Sequence, residues 1–344
     1  MNSGKVPVNV LKRSVLRQLK NKRTEIADSA GLGADCAVFA PFSKGQMVTC
    51  VQEGVVELQC ENDLAEAERE DLSVMPMRRI FQKCANNLAA AGAEPVAAEL
   101  VIFLPETVEE PELKALMEEA EKAATDLNIQ IIGGQTRVSS AVRQPIATAT
   151  GYGILSEAAV TQVSAGKKLA GQDIIITKWI GLEGTADLAA RNQEKLLERY
   201  PAYLVEEAEA FDRYYSILPE AATAVKSGGC TMHDASEGGI FAGLWEMAEG
   251  AGVGLTIDMK KLPLRQETVE VCEFCNVNPY ELRSGGSLII ASPEGTAVVE
   301  ALAAEGIPAV IVGRFTDSNE RLILNEDEVR YMDRPQRDEI YKSV

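Results

Sequence analysis

The chain has 344 residues, 46% of them hydrophobic and 25% charged, with a formal net charge of −18 at pH 7. That length predicts two domains, each able to bury its own core, and no apolar run reaches the ~18 residues of a membrane span. The acidic excess excludes nucleic acid and anionic membranes as natural partners, and with no signal-peptide core at the N-terminus the expected location is cytoplasmic.

The first element is a basic helix. Lys5, Lys12, Arg13, Arg17, Lys20, Lys22 and Arg23 all precede the first acid, Glu25. The stretch reads as a solvated amphipathic helix with Leu11, Val15 and Leu19 toward the core, or as an arm that receives a small anionic ligand such as a nucleotide phosphate. Strands follow at Ala37–Phe39 and Met47–Val56, broken at Pro41–Gly45. The acid-rich stretch Glu57–Asp71 reads as a solvated loop or helix surface. A helix from about Met77 to Ala91 stops at Gly92. Ala97–Leu104 is a buried type of strand, Pro111–Leu127 a helix with Leu113, Leu116, Met117, Ala120 and Leu127 on one side. Ile129–Ile132 is a strand expected to run into a turn at Gly133-Gly134, and Ile146–Ile154 is another strand.

A second unit begins near Ser156. Its expected elements are strand Asp173–Lys178, helices Thr185–Arg199 and Leu204–Lys226, and helix Glu237–Ala251. Strand Gly254–Asp258, helix Glu267–Cys275, strand Ser287–Ala291, helix Gly295–Glu305 and strand Ala309–Arg314 complete it. Strands alternating with helices define an α/β layered fold, here in two closely packed domains. The seven cysteines are odd in number and irregularly spaced, which favours reduced thiols. Cys272 and Cys275 fall within a helix and read as small buried residues rather than a zinc or redox pair.

Four segments carry a resemblance: Gly33-Ala34-Asp35-Cys36-Ala37-Val38, Asn86-Asn87-Leu88-Ala89-Ala90-Ala91-Gly92-Ala93-Glu94-Pro95, Ile132-Gly133-Gly134-Gln135-Thr136, and Met232-His233-Asp234-Ala235-Ser236-Glu237-Gly238-Gly239. Each is weak alone, but in this order and spacing they resemble the aminoimidazole-ribonucleotide (AIR) synthase superfamily. The similarity is greatest to its hydrogenase-maturation dehydratase branch, through the run from Met232 to Asp258 and the segment Asn278–Ser292. It covers about Lys5 to Thr316.

The resemblance implies an N-terminal ATP-binding α/β domain over 1–156, a C-terminal AIR-synthase-type domain over 157–344, and a homodimer with nucleotide near the subunit joint. It also implies phosphoryl transfer from ATP, with magnesium bridging phosphate oxygens and carboxylates holding the metal. The nucleotide-site positions carried over are Asp35, Gln52, Asn87, Gly133, Gly134, Gln135, Thr136 and Asp234.

The departures bear on the chemistry. Asp35 stands where the family has an acid, but Ala34 precedes it. Val51-Gln52 falls where a Thr-Asp is usual, Asn87 where the family helix has Asp, and Gln135 where the glycine turn has Asp or His. Amides keep an oxygen but lose the charge that draws magnesium from its water shell. Asp35 is thereby left as a weak metal position, unless the adjacent Glu53 joins it. The branch's dehydratases also end in a cysteine that receives the carbamoyl group, whereas this sequence ends Tyr341-Lys342-Ser343-Val344.

His233 is the only histidine, so a mechanism needing two is excluded. It reads as packed or capping; Asp234 reads as a ligand-facing acid before a helix start that can receive phosphate through backbone N–H groups. Gly133 and Gly134 suit a close backbone approach to a ligand or simply permit a turn. Thr185 reads as an N-cap or an anion contact. Trp179 and Trp245 are expected in the core. Two functions remain: an ATP-using enzyme on a small molecule or peptide, or a non-catalytic nucleotide- or metabolite-binding dimer serving a protein partner.

Overall fold

The computed structural model describes residues 26–28, 37–39, 45–57, 74–108, 110–157, 159–160, 168–228 and 231–342. The basic helix, Asp35 and most of the acid-rich stretch lie outside these.

The first sheet is built from β1 (Ile26–Asp28), β2 (Ala37–Phe39), β3 (Gln46–Val56), β4 (Val74–Met75), β5 (Glu94–Leu104), β6 (Gln130–Val138) and β7 (Ile146–Leu155), in the order β1-β2-β3-β7-β5-β6 with β4 beside β3. Strand side chains alternate between faces, and here one face is covered. On β3, Val48, Cys50 and Val56 are buried while Val51 is 53% exposed. Helices α1 (Met77–Ala90) and α2 (Glu110–Asp126) provide the cover. α1 presents Ile80, Phe81, Cys84 and Leu88 to the core. It lies close because β7 has glycine beneath it: a Cβ at Gly151 would stand 2.3 Å from Cys84 Sγ. The helix stops as expected, with Gly92 at φ 80° and Ala93 N–H donating to Leu88 O.

The expected turn at Gly133-Gly134 is instead the middle of β6, which pairs parallel with β5. A register shift between Ala98 and Glu99 absorbs the irregularity, leaving Ile132 without a partner position. Gly134 has φ 139°, and a Cβ there would sit 1.8 Å from Leu100 O. Backbone crowding therefore accounts for this glycine.

The second sheet runs β14-β13-β10-β12-β8-β11-β9. Its strands are β8 (Asp173–Thr177), β9 (Thr231–Asp234), β10 (Gly254–Asp258), β11 (Leu288–Ser292), β12 (Ala309–Thr316), β13 (Arg321–Asn325) and β14 (Glu328–Tyr331). Central β8 and β11 are apolar runs buried on both faces. The helices are α3 (Leu182–Arg191), α4 (Gln193–Arg199), α5 (Ala202–Glu209), α6 (Leu218–Lys226), α7 (Gly239–Ala251), α8 (Gln266–Cys275) and α9 (Gly295–Ala304). α6 and α9 pack on one face of the sheet and α7 on the other.

Two expected long helices are divided. Thr185–Arg199 breaks at Asn192, whose side chain donates to Leu188 O at 2.9 Å and leaves the helical conformation at φ −106°. Leu204–Lys226 breaks into α5, a 3-10 turn over Ala210–Tyr214, and α6, because Pro219 fits only a first helical turn. α7 starts at Gly239 rather than Glu237, since Gly238 before it is left-handed at φ 81°. The hairpin β13–β14 had no counterpart in the sequence reading.

α1 is shared by both sheets. Ala89 and Ala90 sit in one apolar cluster with Ile217, Met232 and Leu288. Asn86 is buried, donates to Tyr215 O at 2.8 Å and accepts from Ile217 N–H at 3.2 Å. That double contact ties the first sheet's helix to the second sheet's loop.

Candidate functional site

The carried-over positions fall in three groups. Asp35 lies outside the described residues. Gln52, Gly133, Gly134, Gln135 and Thr136 lie on β3 and β6. Asn87 and Asp234 meet the domain junction, Asn87 on α1 at 8% exposure and Asp234 at the end of β9 at 4%. Contacts between α1 and β9 bring those two elements together.

Sheet register sorts the strand positions into rows. Gln52 lies opposite Ala149, then Leu100, then Gly134. The next row is Glu53, Thr148, Val101 and position 135. Successive residues of a strand point to opposite faces, so Gln52 shares its face with buried Cys50 while Glu53 is exposed on the other. The acid that shares a register row with position 135 is Glu53.

The strongest electrostatics lie at the junction, among residues that the motifs did not single out. Lys83 Nζ lies 2.8 Å from Glu183 Oε1, and Arg79 Nη1 is 2.7 Å from Asp187 Oδ1 and 2.9 Å from Oδ2. Arg283 Nη1 approaches Asp187 at 3.8 Å. Arg79 and Lys83 come from α1, Glu183 and Asp187 from α3, so the cluster bridges both sheets. Burial alone would raise the Glu183 carboxyl; Lys83, Arg283 and Arg79 outweigh it and hold it down to about 2. Arg79 is held above its ordinary value by Asp187, Tyr215 and Glu183 against the opposing effect of burial.

Lys178 follows β8 with a left-handed φ of 52°. Its Nζ reaches Glu220 Oε1 at 2.6 Å, Ser216 O at 2.6 Å and Tyr214 O at 2.8 Å. Burial pushes the Lys178 ammonium below its ordinary value, while Glu220 and then Asp234 oppose that shift. Asp234 thus stands in the field of a buried cation that grips the same loop as Asn86. The sequence did carry a signal, a lysine one residue beyond the three isoleucines of a core strand, but no periodicity distinguishes it from a snorkelling surface residue.

His233 is packed, with Nε2 3.4 Å from Glu246 Oε2 and its ring against Gly243. Thr185 Oγ1 pairs with Thr268 Oγ1 at 3.2 Å, which buries it in the second domain rather than opening it to an anion. Trp245 is 3% exposed; Trp179 is half-buried, edge-on to Tyr214 and under Arg265. Cys272 is buried with Val271 and Leu282, and burial pushes its thiol up to about 12.

Two α/β units whose acids, amides and cations converge between their sheets define a two-domain layered α/β protein. The AIR synthase related protein N-terminal domain matches residues 78–155, and the AIR synthase related protein C-terminal domain matches 170–325. The chain belongs to the AIR synthase-related family, in a branch resembling the hydrogenase-maturation proteins. It is 29% identical over 236 residues to the carbamoyl dehydratase HypE of Rhodobacter capsulatus, a match covering 67% of this chain and 66% of that protein, slightly under two thirds of its length. The fold is that of a HypE crystallised in complex with ATP (TM-score 0.68, 17% identity, 98% of this chain and 97% of the other). It is also that of a HypE–HypF complex (TM-score 0.70, 19% identity, 95% and 99%).

Proposed function

We propose that this chain is a cytoplasmic, ATP-binding maturation factor of the hydrogenase type whose magnesium dependence is weakened. The observation that carries this reading is Asn87, a neutral amide 8% exposed on the helix that joins both sheets, where the family resemblance calls for an acid. The donor chemistry disagrees with a tight magnesium site. Magnesium favours anionic oxygens, and Gln52, Asn87 and Gln135 offer none. Asp35 and Glu53 are the carboxylates left that could hold a cation against a triphosphate, and as anions they repel the phosphates when no cation is bound.

ATP bound by a HypE of the same fold supports nucleotide as the ligand. The basic N-terminal residues supply further positive charge for it. Phosphoryl transfer or dehydration would then run slowly or on an altered substrate. Calorimetric titration of ATP with and without magnesium tests the reading. Binding that changes less than about tenfold on adding magnesium is expected, and strong magnesium dependence abolished by Asp35→Ala would overturn it.

A second reading, a non-catalytic dimer that presents a bound nucleotide or metabolite to a protein partner, is favoured by a face of the first sheet that no helix among the described residues covers. Val51 is 53% and Ile154 50% exposed there, on the side turned away from α1. A second copy of the chain is the occupant proposed for that face. The HypE–HypF complex supports a protein partner as well. ATP hydrolysis by the purified dimer would dismiss this second reading.

A further inference from the structure

The turn that opens α7 is occupied by the chain itself. Asp338 Oδ2 accepts from Gly238 N–H at 2.6 Å, and Oδ1 accepts from Ile340 N–H at 2.9 Å. Gly238 and Gly239 are both left-handed, at φ 81° and 66°, and a Cβ on Gly239 would stand 2.5 Å from Leu282 O. Gly239 N–H donates within the turn to Ser236 O at 3.2 Å, which leaves Gly238 N–H as the donor given to Asp338 at the start of a 13-residue helix, the positive end of its dipole. The carboxylate found there is 2% exposed and comes from 100 residues further along the chain.

The segment around Asp338 is built to lie down. Ile340 is fully buried among Leu188, Val271, Cys272 and Leu282. Glu339 Oε2 accepts from Asn278 N–H at 3.0 Å, and Tyr341 lies under Arg283 at 5.5 Å and Arg337 at 4.5 Å. Arg283 is itself 4% exposed, and among the described residues its Nε has no hydrogen-bond partner. Burial pushes the Asp338 carboxyl up in spite of Arg283 and two backbone amides, and Glu237 adds to that rise. The carboxylate is thus docked against its own desolvation, with Ile340 and Tyr341 as its apolar anchors.

We propose that Asp338–Lys342 is an intramolecular strap whose carboxylate occupies an oxyanion site at the α7 turn, so that an external carboxylate or phosphate binds there only when the strap lifts. The Gly238 N–H and the Arg283 guanidinium would hold the incoming oxyanion. The apparent affinity for it is reduced by the fraction of molecules in which the strap is down. This inference does not depend on the nucleotide reading, because it concerns only the second domain.

Amide-resolved hydrogen exchange on the full chain, with inorganic phosphate as probe, tests it. In the wild type, phosphate should speed exchange at Ile340 and Tyr341 while Gly238 to Ile240 stay protected. In Asp338→Asn, phosphate should protect the same turn with at least tenfold tighter apparent affinity, equivalent to about 1.4 kcal/mol. Equal affinity in the two proteins, phosphate protection only elsewhere, or strap amides unmoved by phosphate would each overturn the proposal. The wild-type measurement decides alone if the variant does not fold.

Discussion

Lys178 Nζ lies 2.6 Å from Glu220 Oε1, and both side chains are buried beneath the loop that Asn86 grips from the other domain. The ammonium also takes the carbonyls of Tyr214 and Ser216, so one cation fixes a loop whose far side meets α1. Removing one member of a buried pair leaves the other charge stranded. Lys178→Ala should therefore cost about 3–5 kcal/mol in urea unfolding, whereas the double change Lys178→Met with Glu220→Leu should recover a large part of it. Equal loss in the single and double variants would contradict this account.

The cluster that joins the sheets should set the acid limb of stability. Glu183 is held down to about 2 from an ordinary 4.5. A carboxyl depressed in the folded state contributes stability that is complete above its unfolded value and is lost as pH falls toward the folded one. Stability from this group should therefore decline between about pH 4.5 and pH 2. Glu183→Gln should be less stable than wild type at neutral pH and lose less across that window. Parallel curves for the two proteins, measured by denaturant unfolding at each pH, would refute the assignment.

The periodicities in the sequence carried the element order and the α/β class, because core strands such as Ile174-Ile175-Ile176 and the apolar stripe of α1 are local signals. The breaks in the helices were not legible in periodicity, although Pro219 and Asn192 mark them chemically. The Gly133-Gly134 turn was misread because a glycine needed for strand crowding against Leu100 looks the same in sequence as one needed for a turn. The junction cluster was illegible for a different reason. Arg79, Lys83, Glu183, Asp187 and Arg283 come from three separate segments, and only the fold, in which side chains of α1 reach those of α3, shows that their charges pair. Asp338 lies still further from its partner, with 100 residues between it and Gly238.

The face of the first sheet that no helix among the described residues covers should govern assembly. Val51 and Ile154 are about half exposed in one protomer and would be desolvated by a second. Val51→Lys should shift the chain toward monomer in light scattering at micromolar concentration while leaving its thermal unfolding cooperative. A wild type that is already monomeric under those conditions would remove the dimer from consideration.

The last test addresses the amides. Asn87→Asp together with Gln135→Asp puts negative charge at a position where the family resemblance implies Asp and at one where it implies Asp or His, and each charge draws magnesium more strongly than an amide oxygen does. The double variant should bind ATP at least about tenfold more tightly with magnesium than without, a gain of about 1.4 kcal/mol that the wild type lacks. Register adds an internal control. Glu53 and Gln52 lie on β3, three strands from β6 and so roughly 14 Å from position 135 at ~4.8 Å per strand. That is too far to share one metal with it, so neither Glu53→Gln nor Gln52→Ala should erase the gain. Calorimetry that finds no magnesium-dependent gain in the double variant would show that charge at these positions is not what limits the metal.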